Sequence, residues 1–526
     1  MHISPHKLVR IRVLTVFMII LSAAQATALP AKAEMPVHTM QQDTADVCPQ
    51  EKKAFWRTAA EVAGFNVGLW AFDRYVLNGH YAYISWNTIK ENFRHGFDWD
   101  NDHLNTNMFA HPYNGSLFYN AARSNGYNFW QSELFAIGGS AMWELFMECE
   151  YPSTNDIIAT PIGGAALGEV FFRTSDMILD ERASGGERFG RELAAFIISP
   201  MRGINRIITG QAWKRNTQPG RKPARTPVSL TVSAGPRIMM YQPEDGYHTQ
   251  TGATAGIHME YGDRFGSSSK VPYDYFSLLA ELNAIKGQPL LNRIEIVGRL
   301  LSKELVDTKK SNLAIGMYQH FDFFDSDTVK RKSDYRQWPS TPCAVPYKLG
   351  TPASVGAGLT FRHIKENRWT FEAYTHLNGI ILGGILSDFY RFYNRNYNWA
   401  SGLSLKFGFN WLLLDGRLSV LLSDRFYKLY SWNSYSEENV WTPPASGEPM
   451  DIQGDKSNAT FNHLETKIDC RLWKGLYLTA GMDWYARKST YHHRREFHGE
   501  NFNLDSAIQL ITSRQLNFRL MLTYKL

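Results

Sequence analysis

The C-terminal part of the chain alternates between apolar and polar residues. In residues 398–413, Trp399 and Phe407 lie on one face of an extended chain, and Ser404 and Lys406 lie on the other. A side-chain period of two indicates a β-strand. The pattern continues well past the roughly 5–6 residues of an ordinary soluble strand. A strand that crosses a membrane needs roughly 9–11 residues, so the pattern predicts membrane-spanning strands.

The same alternation predicts twelve strands, at residues 228–242, 251–263, 273–285, 291–305, 311–325, 351–366, 368–384, 396–413, 416–432, 458–473, 475–491 and 514–526. Twelve is an even number, as in single-chain bacterial barrels. The longest connections follow odd-numbered strands, at 326–350, 433–457 and 492–513. Since outer-membrane barrels have short periplasmic turns and long outer loops, this parity predicts that the N-terminal part lies on the periplasmic side. A further hairpin within 492–513 would give fourteen strands.

The region before the strands has helical spacing. Residues 51–76 and 128–148 repeat apolar side chains every three or four positions. A third helix, at 154–180, carries Gly164 and Gly168, a spacing that predicts close helix contact. The predicted fold class is α+β, a periplasmic α-helical domain followed by an antiparallel transmembrane β-barrel of about twelve strands. Its parts are a helical domain at 51–210, a basic linker at 211–227 and the barrel at 228–526.

The N-terminus resembles an export signal. A basic stretch at residues 7–12 precedes an apolar stretch at 13–24 and a small-residue cleavage site at 31–33. We therefore predict a signal peptide at 1–33 and a flexible segment at 34–50. The signal peptide accounts for most of the formal net charge, which falls from +6 to +2 without it. The remaining charge gives no reason to expect a nucleic-acid partner.

The four cysteines of the chain show no close-spaced pair, so their pattern predicts no zinc site. The sequence predicts no cofactor and no metal. A disulfide between Cys48 and Cys149 is compatible with an oxidising periplasm, and an unpaired Cys149 is the alternative.

Strand parity also identifies the side chains that face the lumen. The predicted lumen-binding candidates are polar and carry both signs of charge: Glu372, Tyr374, His376, Asn378, Lys406 and Arg362. Mixed signs favour a polar interior partly filled by its own ion pairs over a selective channel.

The densest polar cluster of the helical region lies at residues 98–126. Its Asp98-x-Asp100-x-Asp102 run resembles the start of a calcium loop, but Phe109 occupies the position that requires a carboxylate. The candidates for acid/base or hydrolytic chemistry are His103, His111, Glu144 and Asp156. The alternative is that these groups cap and crosslink the helices. No known catalytic motif is present, so an enzyme is not the leading prediction.

The last strand alternates to the end of the chain through Phe518, Leu520, Leu522, Tyr524 and Leu526. Such a strand resembles the signal that the outer-membrane barrel assembly machinery recognises. This machinery and outer-membrane lipid are therefore predicted partners, and a periplasmic protein partner is a further possibility.

Several motifs resemble an uncharacterised family of Gram-negative outer-membrane proteins, a domain of unknown function. They are N-x-x-x-H-P-Y-x-G-S from Asn107 to Ser116, AARSNG at 121–126, WE at 143–144, NDIIATPIGGAALGE at 155–169 and RNYNWASG at 395–402. The resemblance implies an N-terminal helical domain, a C-terminal barrel and an outer-membrane location. It implies no activity and no catalytic residues.

The leading functional prediction is a barrel that binds or passes an envelope component or small solute. Its helical domain would act as a plug or as a docking module for a partner. The alternative is an envelope hydrolase that acts on lipid or glycan through the histidine and carboxylate cluster of the helical domain.

Overall fold

The computed structural model describes residues 53–100, 102–214, 226–242, 248–266, 268–327, 345–366, 368–388, 395–432, 453–492 and 508–526. The predicted signal peptide, Cys48 and most of the linker lie outside these ranges. The proposed disulfide is therefore untested, and the Cys149 thiol lies 3.5 Å from the carbonyl oxygen of His80.

Within the described residues, twelve antiparallel strands form one closed barrel in which each strand pairs with its neighbours in sequence and β1 pairs with β12. The strands are β1 (Val228–Gln242), β2 (His248–Tyr261), β3 (Phe276–Ala284), β4 (Leu291–Asp307), β5 (Ser311–Asp325), β6 (Lys348–Lys365), β7 (Trp369–Leu386), β8 (Tyr397–Leu413), β9 (Leu418–Ser431), β10 (Ser457–Trp473), β11 (Leu476–His492) and β12 (Ile508–Lys525). The predicted fold class is confirmed. Because β11 pairs directly with β12 over seventeen residue pairs, the described barrel has twelve strands and not fourteen.

Seven α-helices precede the barrel in the described part of the chain. They are α1 (Phe55–Phe72), α2 (Trp86–His95), α3 (His111–Ser124), α4 (Phe129–Phe146), α5 (Thr154–Ile178), α6 (Gly185–Ile198) and α7 (Pro200–Ile208). A π-helical turn, Thr106–Ala110, leads into α3. None of the described helices combines the length and the apolarity needed to cross a membrane.

Helices α3 and α5 pack at very short range through glycine. A Cβ atom on Gly115 would lie 1.9 Å from the carbonyl oxygen of Thr160, and one on Gly164 would lie 2.6 Å from the carbonyl carbon of Gly115. A Cβ on Gly168 would lie 2.7 Å from the ring of Tyr119. The close helix contact predicted from Gly164 and Gly168 is therefore confirmed.

The helices pack against the outer wall of the barrel. Outward-facing Ile296 of β4 and Phe321 and Phe323 of β5 are fully buried in one apolar core with helical residues. The side chain of Met108, in the π-helical turn, packs directly on Gly350 of the outer wall. A Cβ atom on Gly350 would lie only 2.4 Å from the Met108 side chain, so glycine is needed at this position. Helix α5 makes the main contact, over strands β4 to β7.

The prediction that the helical domain plugs the lumen is therefore wrong for the described helices. Alternation identifies the apolar outer face of a strand, but it does not show whether lipid or another element covers that face. Between β2 and β8, the helices cover part of this outer face. The predicted position on the periplasmic side concerns the orientation of the whole barrel and stays a prediction.

The lumen is occupied by the barrel's own side chains. Toward the end that carries the long connections, an aromatic layer fills it, composed of Phe324, Tyr347, Tyr427, Phe461 and Tyr485, all buried. The ring centroids of Tyr347 and Tyr485 lie 4.4 Å apart in a stacked arrangement. The rings of Phe324, Tyr427 and Phe461 also contact one another, so these side chains form a packed layer in this half of the lumen.

Candidate metal centre and barrel lumen

A short backbone bridge brings distant acidic residues of the helical domain together. The amide of Asp98 donates to the carbonyl of Pro152 at 2.8 Å, and the amide of Thr154 donates to the carbonyl of Asp98 at 2.7 Å. This pairing places Asp100 beside Asp156, which lies in the first turn of α5. The π-helical turn then brings in His111 at the start of α3, in keeping with the frequent occurrence of such turns at functional sites.

Asp100, His111 and Asp156 each present one potential ligand atom, and these three atoms lie within 4.8 Å of one another. Nε2 of His111 is 3.8 Å from Oδ1 of Asp156 and 3.9 Å from Oδ2 of Asp102. The Asp156 side chain is 4% exposed, yet neither its Oδ1 nor Nε2 of His111 has a hydrogen-bond partner among the described residues. Ligands at about 2.0–2.4 Å from one ion have this mutual spacing.

Two further carboxyl groups lie behind these three residues. Glu144 accepts a hydrogen bond from the Ser153 amide at 2.7 Å, and its carboxyl group is hydrogen-bonded to that of Glu148. We call Asp100, Asp102, His111, Glu144, Glu148 and Asp156 the acidic centre. It contains five carboxyl groups and one imidazole.

The electrostatics of the acidic centre reflect this imbalance. Burial raises the pKa of Glu144 to about 7, and burial together with Asp102 raises the pKa of Asp100 to about 6. Burial alone would lower the pKa of His111, but the carboxylates of Asp156, Asp102 and Asp100 raise it to about 10. The acidic centre therefore favours bound protons or another cation.

The barrel itself contributes to this site. Tyr397 accepts a hydrogen bond from Asn107 at 2.7 Å and donates one to the carbonyl of Asp102 at 3.2 Å. Arg395 donates to the carbonyl of Asp100 at 2.8 Å, and the rings of Trp99 and Trp399 lie 5.6 Å apart. The RNYNWASG motif thus contacts the helical motif. In the sequence, the only signal that linked Arg395 and Tyr397 to this site was that RNYNWASG belongs to the same set of family-like motifs as the helical segments.

The structure brings together three of the four predicted chemistry candidates, His111, Glu144 and Asp156. His103 is half-buried just before the π-helical turn, and its carbonyl accepts hydrogen bonds from the amides of Thr106 and Asn107. His103 is not among the three residues whose potential ligand atoms lie within 4.8 Å of one another.

Glu169 of α5 belongs to a separate ion-pair group. It accepts hydrogen bonds from Arg123 at 2.7 Å, from Arg173 at 2.8 Å and from Tyr119 at 2.7 Å. The pairing of Glu169 with Arg173 that their spacing predicts is therefore present.

The lumen candidates have identifiable positions. Tyr374, His376 and Lys406 line a cavity of about 170 Å³. Glu372 accepts a hydrogen bond from Asn410 at 3.0 Å. Asn378 donates to Ser404 at 3.0 Å, and Arg362 donates to Asn312 at 3.2 Å.

An ion-pair network borders this cavity. We call it the lumen network, and it consists of Arg293, Arg425, Arg519, Glu281, Glu295, Glu465 and Asp483. Arg293 contacts Glu295 at 2.8 Å and Glu465 at 3.1 Å, and Arg519 contacts Glu465 at 3.0 Å and Asp483 at 2.9 Å.

His463, Glu465 and Asp483 also lie close enough together for a metal ion. However, Arg519 contacts both carboxylates, and Arg293 and Arg425 contact Glu465. A further cation is therefore disfavoured there.

These features define the class of the protein, a β-barrel of transmembrane type with a helical domain against its outer wall. Residues 96–201 match the family model of a domain of unknown function, DUF3943. This match confirms the resemblance found in the sequence motifs, and its range includes Asp100, His111, Glu144 and Asp156. No curated protein matches the chain.

Solved structures with a similar barrel include the NanC porin, with 9% identity, a TM-score of 0.25 and coverage of 56% of this chain and 100% of that chain. The toluene transporter TodX of Pseudomonas putida has 7% identity, a TM-score of 0.22 and coverage of 57% and 88%. A loop L8 deletion mutant of OmpT, an outer membrane protein of Vibrio cholerae, has 8% identity, a TM-score of 0.20 and coverage of 58% and 100%. At this level of similarity, the function of the present chain has to be inferred from its own residues.

Proposed function

We propose that this protein is an outer-membrane barrel whose chemistry lies in its helical domain, where Asp100, His111 and Asp156 bind a divalent metal ion. The observation that carries the proposal is the convergence of three ligand atoms within 4.8 Å, with the buried Oδ1 of Asp156 and Nε2 of His111 lacking hydrogen-bond partners among the described residues. Imidazole with carboxylates suits Zn²⁺ or Mn²⁺.

The outer-membrane location is supported by the uncovered part of the barrel wall. Outward-facing Leu403, Leu520 and Leu522 are 54%, 51% and 57% exposed. Large exposed apolar surfaces are unfavourable in water and suit lipid. Lipid is thus one proposed partner, and recognition of the last strand by the barrel assembly machinery is another.

Titration calorimetry with Zn²⁺ and Mn²⁺ on the full chain in detergent tests the metal site. We expect one ion per chain, and we expect His111→Ala and Asp156→Asn to abolish binding. Glu187→Gln serves as the control, because Glu187 is an exposed carboxylate of the same domain that pairs with Arg191. Absence of binding in the wild type, or equal binding in the His111 and Asp156 variants, would contradict the proposal.

The activity that this arrangement favours is metal-assisted hydrolysis of an envelope lipid or glycan. Glu144 lies behind the proposed ligands, where its buried carboxyl group accepts a hydrogen bond from the Ser153 amide, and we assign it the role of general acid or base. We expect Glu144→Gln to keep metal binding and to lose turnover of phospholipid vesicles or purified lipopolysaccharide. Absence of turnover by the metal-loaded wild type on both substrates would leave a metal site without this activity.

A second candidate function is the binding of a small polar solute in the lumen. The observation that favours it is the cavity lined by Tyr374, His376 and Lys406. Passage would additionally require the lumen network and the aromatic layer to move. Conductance in planar bilayers tests passage, and we expect the resting protein to conduct poorly.

A further inference from the structure

Helix α1 has an inverted distribution of polar and apolar residues. Its buried residues are Thr58, Glu61, Val62 and Asn66, so three of the four are polar. Its exposed positions carry only apolar side chains or glycine, and the larger ones are Phe55, Trp56, Val67 and Phe72. A surface helix of a water-soluble protein has the opposite arrangement.

Helix α4 repeats this inversion. Ser132, Ser140 and Glu144 are buried, whereas the exposed positions are Trp130, Leu134, Ile137, Gly138 and Phe146. No charged side chain of α4 belongs to its exposed positions. Leu134 is 68% exposed and Trp130 is 58% exposed.

Five of the six buried polar residues of these two helices hydrogen-bond to protein groups, and Ser132 is the exception among the described residues. Asn66 of α1 donates to the carbonyl of Gly139 in α4 at 3.0 Å. Glu61 accepts from Asn125 and from Asn205, both at 2.8 Å. Inward-facing polar groups with protein partners and an apolar outer surface are what a lipid environment requires.

Helix α2 of the same domain shows the contrasting pattern. Its exposed positions include Lys90, Glu91 and Arg94, and Arg94 pairs with Glu91 at 2.9 Å. The inverted pattern is therefore a property of particular helices and not of the whole domain.

The position of the helical domain identifies what covers the inverted faces. The helices lie beside the strands, from Trp99 against Trp399 and Trp432 to Arg173, which donates to the carbonyl of Pro272 in the β2–β3 connection. Any bilayer around the uncovered wall of the barrel must also meet the elements attached to the covered wall. In that bilayer, the exposed apolar faces of α1 and α4 would extend the lipid-facing surface of the uncovered wall.

We infer that the exposed faces of α1 and α4 contact lipid acyl chains, so that the helical domain lies in the membrane beside the barrel and not in the aqueous periplasm. The inference rests on the proposed outer-membrane location. It also places the acidic centre next to membrane lipid.

Spin-label accessibility in phospholipid vesicles tests this inference. Single cysteines replace Leu134 of α4, Leu403 of the uncovered wall, Glu91 of α2 and Ala136 on the buried side of α4, in a full chain whose native cysteines are changed to serine. Labels at exposed positions perturb folding little. The accessibility to oxygen, which concentrates in lipid, is compared with that to a water-soluble nickel complex.

We expect the oxygen-to-nickel ratio at position 134 to match that at position 403 and to exceed that at position 91 several-fold. Position 136 should be inaccessible to both reagents. A water-like ratio at 134 with a lipid-like ratio at 403 would overturn the inference and leave the membrane barrel intact. Low access to both reagents at 134 would also overturn it, since a protein partner or a second copy would then cover the face. Water-like ratios at both 134 and 403 would contradict the outer-membrane location itself.

Discussion

The lumen network and the acidic centre are both groups of buried charged residues, but they differ in charge balance. In the lumen network, three arginines lie among four carboxylates, and each arginine contacts at least two of them. In the acidic centre, five carboxyl groups surround one imidazole. The lumen network is thus nearly balanced in charge, whereas the acidic centre offsets its excess of carboxyl groups by binding protons or another cation. The difference locates the proposed chemistry in the helical domain.

The largest expected effect comes from breaking the balanced group. Arg293→Met leaves Glu295 and Glu465 without one of their partners, and loss of one member of a buried ion pair costs about 3–5 kcal/mol. Urea unfolding in vesicles measures the loss. Arg182→Met is the control, because the half-exposed guanidinium of Arg182 pairs with Asp180 at 3.0 Å at the surface of the helical domain, and surface pairs contribute little to stability. Equal effects of the two substitutions would contradict the difference between the regions.

Supplying the missing cation should stabilise the unbalanced group. A ligand at 100 times its dissociation constant stabilises the folded state by about 2.7 kcal/mol. We expect Zn²⁺ or Mn²⁺ to raise the unfolding midpoint of the wild type and a chelator to reverse the rise. The Asp156→Asn variant should not respond. An equal response of the variant would place the metal elsewhere.

The buried carboxyl groups of the helical domain also predict a pH dependence. Burial raises the pKa of Glu133, outside the acidic centre, to about 8. A carboxyl group with a pKa raised above its usual 4.5 binds a proton in the folded state that it releases on unfolding. Its contribution to stability is therefore present at low pH and is lost as the pH rises from about 4.5 to 8. We expect Glu133→Gln to flatten this part of the pH profile, and an unchanged slope would contradict the shift.

The smallest effect is expected from Asp156→Asn in metal-free protein. Removing one carboxylate from the acidic centre relieves repulsion between its carboxyl groups, so the stability should stay close to that of the wild type or rise. Unfolding in the presence of chelator measures it. A loss of stability as large as that caused by Arg293→Met would show that Asp156 forms a stabilising ion pair in the metal-free protein.

The strands were predictable because alternation over a long strand is a local signal. The predicted bounds of β1 and β5 agree with the structure, and Gly164 and Gly168 correctly indicated a close helix contact. What covers the outer wall was not predictable, since Phe321 and Phe323 have the same apolar character whether lipid or a helix lies against them.

The candidate site was predictable only in part. His111, Glu144 and Asp156 were identified by residue type, but Asp100 meets Asp156 through the pairing of Asp98 with Ser153, for which no local pattern exists. The hydrogen bond from Asn107 to Tyr397 joins residues 290 positions apart. Such contacts depend on how the helices pack on the barrel and not on periodicity.

The most direct test of the metal centre is a crystal structure of the wild type grown with Zn²⁺ or Mn²⁺, with anomalous diffraction recorded at the metal absorption edge. We predict one anomalous peak between Asp100, His111 and Asp156. Absence of a peak there, or a peak only at His463, Glu465 and Asp483 in the lumen, would contradict the assignment of the chemistry to the helical domain.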